Sequence, residues 1–102
     1  MKPLERHLQK SVLRRLEQLR QADHTLAFRK RHGTAMGTAG DPDVYGVWGG
    51  VPFELELKQI GEEPTPLQTA RLREWALAGA RVGVIHSMSE LNEWVKTIQK
   101  GA

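Results

Sequence analysis

The chain has 102 residues with no cysteine and a formal net charge of +3, and 39% of its residues are apolar. Its length predicts one domain over residues 1–102, and the lack of cysteine excludes disulfides, thiolate metal sites and cysteine nucleophiles. No apolar run is long enough to cross a bilayer and residues 1–20 contain no signal-like apolar segment, so we predict a cytoplasmic protein without membrane insertion.

A helix over residues 3–21 is predicted by an apolar stripe at helical spacing and by a proline at position 3, which suits a first helical turn. The stripe consists of Leu8, Val12, Leu16 and Leu19. Residues 26–31 are then predicted as a short strand. The glycines in residues 33–40 indicate a flexible loop.

Two further strands, Val44–Trp48 and Val51–Leu57, are predicted on either side of Gly49 and Gly50. A pair of glycines between two runs rich in β-branched and aromatic residues is typical of a two-residue hairpin turn. We therefore expect these strands to form an antiparallel hairpin.

Downstream of the hairpin, Thr65 and Gln68 form the capping-box pattern of a helix that extends to about residue 78 and ends at Gly79. A buried strand over residues 81–86 and a last helix, capped by Ser87 and Glu90, complete the chain. The order αβββαβα predicts an α/β fold in which helices flank a mixed four-stranded sheet, with a helical crossover between the third and fourth strands.

The third strand is predicted to have one apolar and one polar face, because its residues alternate in character. The apolar residues are Phe53, Leu55 and Leu57, and the polar ones are Glu54, Glu56 and Lys58. Ionisable groups on a central strand are costly to bury unless they pair or bind something.

The hairpin is expected to fold Asp43 back toward Glu56 and Lys58. Two neighbouring carboxylates suit Mg²⁺, an ion that can activate water and neutralise charge on a phosphodiester, and Lys58 would hold the water or the phosphate.

Three groups of residues resemble the signature of the virus-type replication-repair nuclease (VRR-NUC) domain, a branch of the PD-(D/E)XK nuclease superfamily. They are Gly40, Pro42 and Asp43, then Glu56, Leu57 and Lys58, then Pro66, Leu67 and Gln68. The resemblance covers nearly the whole chain and implies a restriction-endonuclease-like fold. It also implies a phage or bacterial nuclease that uses Mg²⁺ or Mn²⁺, often as a homodimer, and cuts branched DNA as Holliday junction resolvases do.

The resemblance also implies roles for individual residues. Asp43 and Glu56 would be metal ligands, the carbonyl of Leu57 a backbone ligand, and Lys58 the catalytic lysine. Together they would hydrolyse phosphodiester bonds of DNA, with a water activated by the metal as the nucleophile.

Other polar residues have two interpretations each. Glu5 corresponds to a site glutamate in the first helix of the family and shares the row of the apolar stripe, but an acid also suits a helix N-terminus without any catalytic role. Gln68 would support the site from the second helix or serve only as a capping residue. Asp41 departs from the family pattern and is either a spare acid or a modifier of metal affinity. Glu54 is expected to face solvent or form a salt bridge.

The basic run Arg29, Lys30 and Arg31 is predicted to grip the DNA backbone together with the loop of residues 33–40, which would give salt-sensitive binding without sequence preference. A solvated charged strand is the alternative. Two other function classes stay open. One is a catalytically silent nuclease-fold module that binds nucleic acid, and the other is a small basic RNA-associated protein whose acids only form salt bridges.

Overall fold

The computed structural model describes residues 2–32 and 37–100, so residues 33–36 of the predicted loop lie outside the described part. Seven elements follow one another in the predicted order αβββαβα. They are α1 (Pro3–Ala22), β1 (Leu26–Lys30), β2 (Val44–Trp48), β3 (Val51–Leu57), α2 (Pro66–Leu77), β4 (Arg81–Ile85) and α3 (Met88–Lys100). Where the bounds differ from prediction they differ by one residue, as element ends commonly do.

The four strands form one sheet in the order β1-β2-β3-β4. β2 pairs antiparallel with β1 and with β3, whereas β4 pairs parallel with β3. The parallel pair requires a crossover, which α2 supplies. The predicted mixed four-stranded sheet flanked by helices is therefore confirmed.

The hairpin between β2 and β3 is closed by Gly49 and Gly50, since Trp48 pairs directly with Val51. Both glycines have positive φ, at 56° and 83°, which a type I′ turn requires at its two central positions. The turn chemistry predicted from the sequence thus fixes the register of the two strands.

Helices α1 and α3 pack on one face of the sheet and enclose the apolar core. The buried cluster comprises Val12, Leu16, Leu26, Val44, Trp48, Phe53, Leu55, Leu57, Ile85, Leu91, Trp94, Val95 and Ile98. The buried row of α1 differs from the predicted stripe, because Gln9 joins Val12 and Leu16 in it while Leu8 and Leu19 are only partly buried. Among the described residues, no helix has the length and apolar character needed to cross a membrane.

Helix α2 lies over the other face of the sheet, where the Trp75 ring lies 5.6 Å from the guanidinium of Arg31, the residue after β1. It begins with the predicted capping box: the N–H of Gln68 donates to Thr65 Oγ1 at 3.2 Å, and the N–H of Thr65 donates to Gln68 Oε1 at 2.9 Å. Gly79, with φ of 109°, ends it. β3 is thereby buried on both faces, and its polar face is not open to solvent as an edge strand would be.

Candidate active site

Asp43 lies one residue before β2 and continues the ladder of that strand. The N–H of Asp43 donates to Leu55 O at 3.0 Å, and its carbonyl accepts from the N–H of Arg31 at 2.7 Å. With Val44 paired to Leu55, the bond to Leu55 O sets Asp43 and Val44 both against Leu55, and the Asp43 side chain forms a hydrogen bond with the carboxyl group of Glu56, the next residue of β3. The structure therefore brings together the two carboxylates that the sequence singled out.

Glu56 is almost fully buried, with 2% of its surface exposed, and its Oε2 has no hydrogen-bond partner among the described residues. Burial raises the pKa of Glu56 to about 8, and the negative charge of Asp43 and a hydrogen bond with it add to the shift. Asp43 Oδ2 accepts from the N–H of Leu57 at 2.8 Å, which anchors that carboxylate. Glu56 therefore favours its protonated form up to a pH of about 8.

Lys58 follows β3 and extends its pairing with β4, since the N–H of Lys58 donates to Ile85 O at 3.0 Å. It is two residues beyond Glu56 and therefore on the same face of the strand. Its positive charge opposes the rise in the pKa of Glu56, so the ammonium group is close enough to act on that carboxyl.

Glu5, in the first turn of α1, is half-buried, and its charge adds to the rise in the pKa of Glu56. Glu5 is therefore near the carboxylate pair. Even so, within residues 2–32 and 37–100 no three His, Asp or Glu side chains converge as a ready-made metal site.

Gln9 is a buried polar residue that the sequence interpretation missed. It is 7% exposed, and its Oε1 has no hydrogen-bond partner in the described part of the chain. Its spacing could have predicted this burial, because Gln9 lies four residues after Glu5 and three before Val12, on the same helix face. Gln68, by contrast, is engaged in the α2 capping box, and its role at the site stays a prediction.

Arg31 turns inward onto the polar face of β3. Its Nη1 and Nη2 donate to the two carboxylate oxygens of Glu54 at 2.7 and 3.4 Å, and Nη1 also donates to Pro42 O at 2.7 Å. The guanidinium lies 4.5 Å from the ring centroid of Tyr45 and 5.6 Å from that of Trp75. Burial raises the pKa of Glu54, and the hydrogen bonds and charge of Arg31 oppose that rise. Of the two expectations for Glu54, the salt bridge is confirmed, whereas the solvent-facing position is wrong.

Asp41, Arg29 and Lys30 are the other polar residues that the sequence singled out near Arg31. Asp41 Oδ1 accepts from Trp75 Nε1 at 3.1 Å, which ties the segment before Asp43 to α2. Arg29 and Lys30 are exposed and, as neighbours on a strand, point to opposite faces of the sheet.

Comparison with known proteins gives a consistent result. No family model matches the sequence, and no curated protein matches it. A solved structure described as "VRR_NUC domain" is 25% identical, with a TM-score of 0.74 over 93% of this chain and 97% of that one. Another, "VRR_NUC domain protein", is 18% identical, with a TM-score of 0.70 over 98% of this chain and 88% of that one, and shows the fold.

The mixed sheet with helices on both faces is therefore an α/β nuclease fold. The chain is thus similar in fold to VRR-NUC domains, which supports the resemblance noted in its sequence.

Proposed function

We propose that the chain is a metal-dependent endonuclease that hydrolyses phosphodiester bonds of DNA with Asp43, Glu56 and Lys58. The observation that carries the proposal is the buried carboxylate pair. Glu56 lies beside Asp43, and among the described residues one oxygen of Glu56 has no hydrogen-bond partner although it is shielded from water. An unpartnered buried carboxylate oxygen costs free energy unless a cation binds it.

The donor set fits a divalent cation. Carboxylate and carbonyl oxygens are the ligands that Mg²⁺ and Mn²⁺ prefer, and in this proposal Asp43, Glu56 and the carbonyl of Leu57 supply them. A bound ion would provide positive charge at the scissile phosphate and lower the pKa of water there. The raised pKa of Glu56 supports the same conclusion, because a divalent cation held by these residues would favour the ionised form of Glu56 that burial disfavours.

The side chains of this chain would do the remaining work. The ammonium group of Lys58, on the same face as Glu56, would bind the phosphate and stabilise the negative charge that develops on it. Asp43 is anchored by the N–H of Leu57, which keeps its carboxylate in place. Glu5 is proposed to orient water at the edge of the site, and Gln68 to support the site from the start of α2.

DNA is the proposed substrate because the fold is a nuclease fold and the net charge is +3. Arg29 and Lys30 are exposed and would contact backbone phosphates, whereas the Arg31 guanidinium is already bonded to Glu54 and Pro42. Preference for branched DNA, such as four-way junctions, rests on the family resemblance. We also propose a homodimer, since a chain this short buries little surface alone and family members often pair. Light scattering after size exclusion tests the oligomeric state.

The direct test is cleavage of a labelled four-way junction beside a matched linear duplex with Mg²⁺, Mn²⁺ or EDTA. We expect cutting that needs metal and is lost in Asp43→Asn and Lys58→Ala. Glu93→Gln and Lys96→Ala, which change exposed residues of α3, are matched controls and should cut normally. The junction-to-duplex ratio tests the preference for branches.

Metal-independent DNA binding with no cutting under any condition would contradict the catalytic proposal. That outcome would favour the alternative function, a catalytically silent nuclease-fold module that binds nucleic acid. Preference for RNA, together with a Glu56→Gln variant that behaves like the native protein, would instead favour an RNA-associated protein.

A further inference from the structure

Arg31 holds the backbone on both sides of Asp43. Its own N–H donates to the carbonyl of Asp43 at 2.7 Å, and its Nη1 donates to the carbonyl of Pro42 at 2.7 Å. These two carbonyls belong to the peptide groups that flank the Asp43 Cα. One residue thus restrains both peptide planes that determine where the Asp43 side chain points.

The guanidinium of Arg31 is itself fixed on several sides. Two donors meet both oxygens of Glu54, whose carboxylate is buried, with 4% of the residue exposed. The guanidinium also lies within cation–π distance of the rings of Tyr45 and Trp75. The planar guanidinium, bonded to two oxygens and in contact with two rings, has little freedom to move. It is therefore a rigid hydrogen-bond donor to the Pro42 carbonyl.

Stability alone gives a weak reason for such an arrangement. Burying an ion pair costs desolvation that its attraction roughly offsets, so an apolar pair of similar volume stabilises a fold as well or better. What an apolar pair lacks is the directed hydrogen bond to the carbonyl of Pro42. The distinctive effect of the Arg31–Glu54 pair is therefore geometric, and it acts on the residue next to Pro42.

From this geometry we infer that Arg31, fixed by Glu54, is a positioning residue that sets the Asp43 carboxylate for metal binding. The inference rests on the proposed metal-dependent function of the Asp43–Glu56 pair. Groups that orient a metal ligand without touching the metal typically contribute about 10–100-fold to metal affinity. Arg31 is thus assigned to the site and not to the DNA backbone.

The test is calorimetric titration of Mn²⁺ into the full chain without DNA, for the native protein, Arg31→Lys and Glu54→Asp. Both substitutions conserve charge and disrupt the contact, Arg31→Lys because lysine has no fork of donors and Glu54→Asp because its carboxylate is one methylene shorter, so a change in affinity reports positioning and not net charge. Arg73→Lys, at an exposed position of α2, is the matched control. We expect Mn²⁺ affinity to fall about 10-fold or more in the first two variants and to be unchanged in the control.

A second readout separates positioning from general loss of structure. Cleavage by Arg31→Lys should recover its native maximal rate at saturating Mn²⁺, with only the half-saturating concentration raised. Circular dichroism identifies the temperatures at which each variant is folded. If Arg31→Lys does not fold, Glu54→Asp alone tests the inference. If both variants fold and bind Mn²⁺ with native affinity, the positioning role is overturned. If only Glu54→Asp folds, native affinity in that variant alone overturns it. Failure of the native protein itself to bind Mn²⁺ would instead refute the proposed function.

Discussion

Stability of the metal-free protein should depend on pH through Glu56. The folded state raises the pKa of this carboxyl from its ordinary value of 4.5 to about 8, first by burial and then through Asp43. An unfolded chain has no such environment, so Glu56 ionises there near its ordinary value. The folded state consequently binds a proton that the unfolded state has lost, and stability falls as pH rises from about 5 through 8.

The size of this effect follows from the shift in pKa. Each unit corresponds to about 1.4 kcal/mol, so the shift gives an upper limit of roughly 5 kcal/mol. That is a large part of the about 5–15 kcal/mol that stabilises an ordinary domain. The charged groups that act on Glu56 are Asp43, Lys58 and Glu5, and Lys58 alone opposes the shift.

Urea unfolding in EDTA at pH 5, 7 and 9 measures the effect, with Glu56→Gln as the comparison. The amide resembles the protonated acid, so we expect the variant to lose less stability than the native protein between pH 5 and 9, by a few kcal/mol. His86 also has a raised pKa, since its bonds to Glu90 and to the backbone outweigh burial, and it lowers stability with pH in both proteins. The difference between the two proteins isolates Glu56.

Mg²⁺ provides the second half of the same test. At pH 8 the ion should stabilise the native protein by binding the ionised pair, and it should stabilise Glu56→Gln much less. Glu93→Gln, exposed on α3, should follow the native profile with and without metal. Parallel pH profiles for the native protein and Glu56→Gln would refute the reasoning, because they would mean that Glu56 is not held protonated by the fold.

Three further changes test the fold and the DNA contact. Gly46→Ala should destabilise the protein by about 3 kcal/mol in urea, because a Cβ would lie 2.1 Å from the backbone oxygen of Ala27; a native-like midpoint would contradict this close approach. Trp48→Phe should cost about 1 kcal/mol in thermal unfolding, because it removes the 2.9 Å hydrogen bond to Asp23 Oδ2, and no loss would show the bond to be replaced by water. Lys30→Ala should reduce the salt slope of DNA affinity, measured by fluorescence anisotropy, by about one, whereas an unchanged slope would place Lys30 off the DNA.

The hairpin and the carboxylate pair were predictable for the same local reason. Two glycines that accept positive φ close the turn, so Trp48 must face Val51. Counting outward along each strand then brings Asp43 beside Glu56, with which its side chain forms a hydrogen bond. The pairing of the proposed ligands is thus encoded in turn chemistry and strand periodicity, without information from distant parts of the chain.

Arg31 shows where such local reasoning ends. A run of three basic residues on an edge strand predicts three solvated charges, and Arg29 and Lys30 follow that pattern. The side chain of Arg31 is instead enclosed by Trp75 of α2 and by Glu54 of β3. Those partners are far from it in sequence, and only the packing of α2 on the sheet brings them near.

The polar face of β3 contains a contrast that bears on function. Glu54 and Glu56 lie on the same face of the same strand and are 4% and 2% exposed, so burial penalises both carboxylates. Both carboxylate oxygens of Glu54 accept hydrogen bonds from Arg31, whereas one oxygen of Glu56 has no partner within residues 2–32 and 37–100, and Asp43 lies beside it. An arginine that forms an ion pair would be enough to neutralise a buried carboxylate, as Arg31 does for Glu54, two residues before Glu56. Lys58 supplies some positive charge to Glu56, and we propose that the rest comes from outside the chain, as a divalent cation.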